Sequence, residues 1–537
     1  MRSGPLLVQT PSLTHPASKL GMSQLNHNEI PVLIVGAGPT GLVLALWLAR
    51  LGVPVRIIDK SAEPGTTSRA LAVQVRTLEF YRQIGLADEV VNRGHRVNSI
   101  SFWAGGKQRG RSAVFGDIGK GLTPFPYVLI FPQDEHEKLL VERLAAESVE
   151  VERQTELLGL QQMENRVLAR LRRPDGSEET CQVAYVAGCD GARSKVREEL
   201  SIGFPGGTYE HLFYVADVEA HGAAINGQLH VALDSADFLI VFPMKDEGRA
   251  RLVGTLRREP EREGEKLAWG DVSKDVVDWM RIDVKRVNWF STYHVHHRVS
   301  QQFRKDRSFL LGDAAHIHSP VGGQGMNTGI GDAVNLAWKL AAVLKGRASE
   351  AILDSYEPER IDFARRLVAT TDRAFSLVTS RGSIARQVRR NIAPFVVPAL
   401  FEIEPFRRLM FRTVSQTVIN YRESPMSAGK AGEIRGGDRL PWVANSLGHE
   451  DNFKFLTTLQ WQAHVYGEPS LELSSVCRSL NLPLHAIPWR SEMERAGLKR
   501  NALYLVRPDG HVALADANGD TSNLRSYLDR WNIKPSA

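Results

Sequence analysis

The segment that most restricts the fold is Gly36-Ala37-Gly38-Pro39-Thr40-Gly41, because of what stands on either side of it. Val32-Leu33-Ile34-Val35 is a short apolar run of strand character, and an uncharged apolar stretch follows the glycines as far as Ala49. Gly52 ends that stretch, and Val55-Arg56-Ile57-Ile58-Asp59 reads as a second strand. Residues 31–59 are therefore expected to form a βαβ unit with parallel strands. In such a unit Gly36 permits the tight turn, Gly38 lets the backbone approach a pyrophosphate, and Gly41 allows the helix to pack closely. Pro39 and Thr40 open the helix, whose N-terminal N–H groups and dipole favour phosphate. Asp59, 18 residues after Gly41, can accept both hydroxyls of an adenosine ribose, with Lys60 beside it as a further cofactor-facing candidate. The motif asks for a dinucleotide and does not distinguish FAD from NAD.

The apolar stretch Pro31 to Ala49 is long enough to suggest a membrane span, but Gly36, Gly38, Pro39 and Gly41 break it into strand and helix. At 537 residues the chain exceeds one compact unit, and two or three domains are expected. Its 43% hydrophobic and 24% charged residues are those of a globular protein. The net charge of +6 comes without a Lys/Arg block, which argues against nucleic-acid binding while favouring anionic small molecules. Cys181, Cys189 and Cys477 form no C-x-x-C, so neither a disulfide framework nor a zinc site is expected, and a cytoplasmic setting follows. Residues 1–29, with Pro5, Pro11 and Pro16 and no secretory core, read as a disordered tail in which Met22 is an alternative start. Mitochondrial import is a minor alternative, since Arg2 and Lys19 are the tail's only basic residues.

Further along, apolar spacing of three and four predicts helices over Val75–Ile84 and Gln133–Ala146. From about Phe213 to Phe242 short alternating runs predict antiparallel strands of a second layer. Ser308-Phe309-Leu310-Leu311 reads as a buried strand leading to a glycine-rich turn and a long helix with Leu336, Leu340 and Leu344 on one face. Residues 355–425 read as helical and arginine-rich, and the dense glycines 429, 432, 436 and 437 mark a boundary before a C-terminal domain of roughly 100 residues.

Two more motifs carry chemistry. Val186-Ala187-Gly188-Cys189-Asp190-Gly191-Ala192-Arg193-Ser194 is a strand running into a turn with an acid and basic residues, which a surface turn would equally resemble. Leu310-Leu311-Gly312-Asp313-Ala314-Ala315-His316 is followed by Ser319-Pro320-Val321-Gly322-Gly323-Gln324-Gly325-Met326-Asn327. An aspartate at that strand end can hold polyol hydroxyls, and the glycine run can present backbone N–H groups to a flat anionic ring such as a reduced flavin. His294, His296 and His297 lack a carboxylate or cysteine at ligand spacing, so no metal is expected. Arginines 381, 386, 389 and 390 read as a solvated helix face.

Taken in order, the three motifs resemble the class A flavoprotein aromatic hydroxylases from Pro31 to Arg366, in the style of the phenol hydroxylase, pentachlorophenol monooxygenase and hydroxyphenylpropionate hydroxylase branches. The resemblance implies an α/β fold: a Rossmann-like FAD-binding domain of the glutathione-reductase type over 30–425, with an antiparallel substrate sheet inserted at about 205–300 and a helical segment at 345–425. It further implies a thioredoxin-like domain without redox cysteines over 426–537, carrying Tyr504-Leu505-Val506-Arg507-Pro508-Asp509-Gly510-His511 and serving structure or oligomerisation; a homodimer is left open.

On this resemblance Gly36, Gly38, Gly41 and Asp59 bind the adenosine half of FAD, Asp313 its ribityl and pyrophosphate half, and the backbone at Gly323, Gly325, Met326 and Asn327 faces the isoalloxazine. Arg69, Arg76 and Gln133 match positions near the cofactor, Asp190 and Arg193 are candidates for the nicotinamide nucleotide, and Pro320 lies against the ring. The chemistry implied is reduction of FAD by NADH or NADPH, formation of a flavin hydroperoxide with dioxygen, and oxygen transfer to an electron-rich aromatic substrate.

The sequence departs from the phenol hydroxylase branch where its catalytic aspartate stands, here Leu71. No general base is assigned, and Tyr293 on the middle sheet is the alternative, with a packed sheet tyrosine an equal reading. A halogenase is excluded because its W-x-W-x-I-P signature is absent. Two other classes remain at this stage: an FAD reductase that never consumes dioxygen, and a non-catalytic flavin sensor.

Overall fold

The computed structural model describes residues 30–65, 70–112, 116–233, 238–256, 267–318, 323–379, 396, 399–400, 402–444 and 450–535. The tail at 1–29, Arg69, Pro320 and the arginines 381, 386, 389 and 390 lie outside them.

The βαβ unit forms as its residues require. Strand Val32–Val35 and helix Pro39–Arg50 are almost wholly buried, and strand Val55–Asp59 pairs in parallel with the first, Val35 opposite Ile58. Around them lies a six-stranded sheet in the order Arg304–Lys305, Ser308–Leu310, Tyr185–Gly188, Val32–Val35, Val55–Asp59, Val151–Arg153. The strands are parallel except at the Arg304–Lys305 edge. Sequence neighbours therefore lie on opposite sides of Val32–Val35, which makes its carboxyl end a switch point where α/β sheets bind ligands. The predicted helices appear at Val75–Gln83 and Gln133–Ala146, and the long helix at Gly325–Leu344 packs on Pro39–Arg50. A three-stranded antiparallel meander, Glu156–Gln162, Val167–Arg172 and Glu178–Val183, went unread in the sequence.

The second layer is an eight-stranded sheet, wider than the segment 205–300 expected for it. Ile100–Ala104 and Lys107–Ser112 join one edge through parallel pairing of Ile100–Trp103 with Leu229–Ala232, and His316–Ile317 joins the other. The extra strands are recruited because Leu229–Leu233 would otherwise present an unpaired edge. One face, with Leu212, Tyr214, Ala216, Leu239 and Leu252, is covered by helix Lys274–Trp279. By alternation Phe213, Val215 and Asp217 take the other face.

In the C-terminal region, the glycines read as a boundary are the opening hairpin of a further sheet. Ala428–Ala431 turns into Ile434–Arg435 and pairs in parallel with Val512–Asp516, and an added Cβ on Gly429 would lie 2.2 Å from the Ala515 carbonyl oxygen. The sheet continues through Leu503–Val506, Gln462–Tyr466 and Leu484–Ile487, with helices Leu471–Ser479 and Thr521–Trp531 against it.

His136, His464 and His511 are among the histidines sealed inside these layers. Burial draws His136 and His464 down to about 3 and His511 down to about 4. The unfolded imidazole titrates near ~6.5, so protons are taken up on unfolding and stability falls as pH drops from there toward the folded values. Each should cost about 2 kcal/mol at pH 5 relative to pH 7. Thermal unfolding at the two pH values measures this; an equal midpoint at both would refute the buried neutral assignment.

Candidate active site

Three adjacent parallel strands end at one level, Val35 opposite Gly188 and Gly188 opposite Leu310. Each runs directly into one of the three motifs. Motifs far apart in sequence thereby emerge side by side at the carboxyl edge of the sheet, with Asp59 on the remaining neighbour.

Glycine at Gly36 is required twice over. Its φ is +105°, and an added Cβ would lie 2.3 Å from the Cys189 carbonyl oxygen, so the first motif is seated on the second. An added Cβ on Gly41 would lie 2.0 Å from the Gly36 carbonyl oxygen. Thr40 joins the first motif to the third: a Cβ on Gly312 would come within 2.6 Å of its Oγ1, and one on Gly329 within 2.3 Å. Gly38 differs from all of these. Its backbone is extended, no side chain caps the helix it opens, and an added Cβ would meet nothing within 4 Å. A helix N-terminus bordering open space beside a carboxylate fits a dinucleotide pyrophosphate and ribose.

Asp59 is held in place by two backbone donors. Its Oδ2 accepts from the Ala37 N–H at 2.7 Å and its Oδ1 from the Ser61 N–H at 2.7 Å, leaving each oxygen a further lone pair. Lys60 is exposed beside it. Asp190 turns inward, its Oδ2 accepting from the Val196 N–H at the start of helix Lys195–Glu199 while Oδ1 is buried without a hydrogen-bond partner among the described residues. Burial pushes its carboxyl up. Arg193 stays exposed.

Asp313 sits exposed in the short turn Gly312–Ala314. The turn is fixed from below by residues that the sequence reading missed. Gly312 N–H donates to Asp332 Oδ2 at 2.9 Å, and that oxygen also meets His316 Nε2 at 2.7 Å. Arg360 Nε donates to Asp332 Oδ1 at 2.5 Å, and its Nη2 to the Thr328 carbonyl at 3.0 Å. A signal was present, since Asp332, Asn335 and Lys339 recur three and four apart on an otherwise apolar helix.

The glycine loop is stapled by Asn327. Its Nδ2 donates to the Ala72 and Gly323 carbonyls, both at 2.8 Å, and its Oδ1 accepts from Gln74 N–H and Thr77 Oγ1, both at 2.8 Å. With the Asn327 side chain so committed, its own contribution to any ligand is limited to its backbone. Gly323 has φ +61°, and a Cβ there would press on Ala72 at 2.9 Å.

Arg76, Tyr293 and Gln133 each have partners within the fold, while Arg69 and Pro320 lie outside the described residues. Arg76 is buried and donates to Glu79 Oε2 at 3.0 Å and to the Asp509 carbonyl at 2.8 Å. Glu79, at i+3, also binds Arg439. Tyr293 stands on strand Ile282–Val299 opposite Phe213, with the two ring centroids 5.9 Å apart. Gln133 donates to Glu137 Oε1 at 2.8 Å and accepts from Ala70 N–H, and Glu137 Oε2 accepts from Gly65 N–H. Leu71 is buried and provides no base. His296 Nδ1 is engaged with Thr208 Oγ1, and the His297 ring packs at a tilt against Tyr209.

Comparison with known proteins agrees with this geometry. Residues 29–371 match the family described as FAD binding domain. The chain is 33% identical to 6-methylpretetramide 4-monooxygenase of Streptomyces rimosus, over 94% of each protein. It is 31% identical to pentachlorophenol 4-monooxygenase of Sphingobium chlorophenolicum, over 80% of this chain and 78% of that one. The solved anhydrotetracycline hydroxylase OxyS of Streptomyces rimosus superposes with a TM-score of 0.75 at 27% identity, over 94% of this chain and 99% of that one.

Proposed function

Because this chain belongs to the FAD-dependent aromatic monooxygenases, we propose that its substrate is a fused-ring phenol, of the kind that the names 6-methylpretetramide and anhydrotetracycline denote, bound between the glycine loop and the second sheet. The observation that carries the reading is the level ending of Val35, Gly188 and Leu310 around the open Gly38 edge. Matches along nearly the whole chain to enzymes named for such substrates favour them over a monocyclic phenol.

Bound FAD supplies the redox chemistry, taking two electrons from NADH or NADPH and delivering one atom of dioxygen to the ring. The chain's own residues do the rest. Gly38 and the helix it opens receive the pyrophosphate, Asp59 the adenosine ribose, and Asp313 the polyol. Backbone N–H groups near Gly325 to Asn327, at the positive end of a 20-residue helix, stabilise negative charge on the reduced ring. With buried Leu71 where a carboxylate would activate the substrate, the substrate itself must be electron-rich, as a phenolic polycycle is. In the C-terminal sheet, two parallel strands joined by a helix, followed by an antiparallel hairpin and a helix, support a thioredoxin-like unit; its lone Cys477, drawn up to about 11 by burial, makes it inert in redox terms. Three free cysteines support a reducing cytoplasmic setting, and among the described residues no helix is long and apolar enough to cross a membrane.

The test is anaerobic reduction of the FAD-loaded protein by NADPH and by NADH with phenols, hydroxylated polycyclic aromatics and quinolones, followed by admission of dioxygen. Strong acceleration by a hydroxylated polycycle is expected. Reduction indifferent to every aromatic would contradict the substrate assignment.

A further inference from the structure

The turn Arg507–His511 of the C-terminal sheet is buried to an unusual degree for a hairpin end: Arg507, Asp509 and His511 are each no more than 1% exposed. Arg507 donates from Nη1 to Glu359 Oε1 at 2.8 Å and from Nη2 to Glu359 Oε2 at 3.0 Å, and it also binds Asp509. Glu359 in turn accepts from Lys339 Nζ at 2.8 Å and Asn335 Nδ2 at 2.6 Å on the long helix.

From this knot two arms reach the site. The Tyr421 ring lies tilted against His511, centroids 4.4 Å apart, and its hydroxyl accepts from Arg360 Nη1 at 2.9 Å; Arg360 holds Asp332, which holds the Gly312 turn. On the other side the Asp509 carbonyl accepts from Arg76, on the helix whose Gln74 and Thr77 grip Asn327 and through it the glycine loop. The two turns that cradle the third motif's ligand are thus tied to one point outside their own domain.

We infer that the Arg507–His511 turn is a positioning clamp for FAD, so that docking of the C-terminal unit and binding of the cofactor reinforce each other. An apolar contact would hold two units together at lower desolvation cost, whereas a bidentate buried ion pair admits a single register. A cofactor cradle needs such a register, because its contacts tolerate displacements of only about 0.5 Å. The inference rests on FAD binding and is independent of the substrate.

The experiment titrates FAD into the apoprotein of the wild type and of Tyr421→Phe, Arg507→Lys and Val465→Ala, following flavin fluorescence and the visible absorption band. Tyr421→Phe removes the hydroxyl that Arg360 uses, and Arg507→Lys keeps the charge without the fork. Both should raise the Kd for FAD roughly tenfold and shift the band. Val465→Ala opens a cavity in the C-terminal core away from the clamp and should lower the unfolding temperature while leaving the Kd within about twofold of wild type. Wild-type affinity in both clamp variants overturns the inference, as does an equal loss in Val465→Ala, which would reduce the clamp to general stability. Should Arg507→Lys fail to fold, Tyr421→Phe alone decides. Failure of the wild type to bind FAD would instead count against the cofactor reading.

Discussion

Gly38→Val should fold as well as the wild type and bind FAD about two orders of magnitude more weakly, a loss of about 2.7 kcal/mol. The backbone there has φ −77° and ψ −179°, which valine adopts readily, and no atom lies within 4 Å of an added Cβ. Stability of the apoprotein should therefore change by less than about 1 kcal/mol. The added methyl groups stand where the pyrophosphate must approach the helix start. Gly36→Val is the contrast: φ +105° and a contact of 2.3 Å with the Cys189 carbonyl oxygen should prevent folding of the strand edge itself. Unfolding of both apoproteins, with FAD titration of Gly38→Val, checks this. Wild-type FAD affinity in Gly38→Val would remove Gly38 from the site.

The second large effect is expected at Glu359. Burial alone would push its carboxyl up, but the charges of Arg507 and Lys339 outweigh this and hold it well below the usual range. Lys339 is drawn down to about 8 by burial. Glu359→Ala leaves two cations buried without their shared partner, which should cost about 3–5 kcal/mol, a large share of the ~5–15 kcal/mol that stabilises a domain. Glu404→Ala, which breaks an exposed pair with Arg408, should cost under about 1 kcal/mol. Urea unfolding of the two variants compares them; similar losses would show that the buried knot carries no special weight.

What could be read in advance, and what could not, divides by range. The βαβ unit, the ends of Val32–Val35 and Gln133–Ala146, and the glycine motifs are encoded locally, by strand runs, helical spacing and residues able to turn sharply. The side-by-side placement of the three motif strands was not read in advance, since no local pattern dictates that Tyr185–Gly188 should lie between Val32–Val35 and Ser308–Leu310. Of the partners that hold Arg76, Glu79 stands three residues along its own helix, whereas Asp509 reaches it only when the C-terminal sheet docks. Glu359 and Arg507 stand 148 residues apart, and nothing in either neighbourhood announces the other. The one local hint was polar spacing at 332, 335 and 339 on a helix otherwise built for burial.

The central chemistry is oxygen transfer to an aromatic ring. Its most direct test admits dioxygen labelled with oxygen-18 to the reduced, substrate-loaded protein and analyses the product by mass spectrometry. Incorporation of a single labelled atom into a hydroxylated aromatic product, with NADH or NADPH consumed in equal amount, is the expected result. Oxidation of the nucleotide with all label recovered as hydrogen peroxide or water, whatever aromatic is supplied, would contradict it.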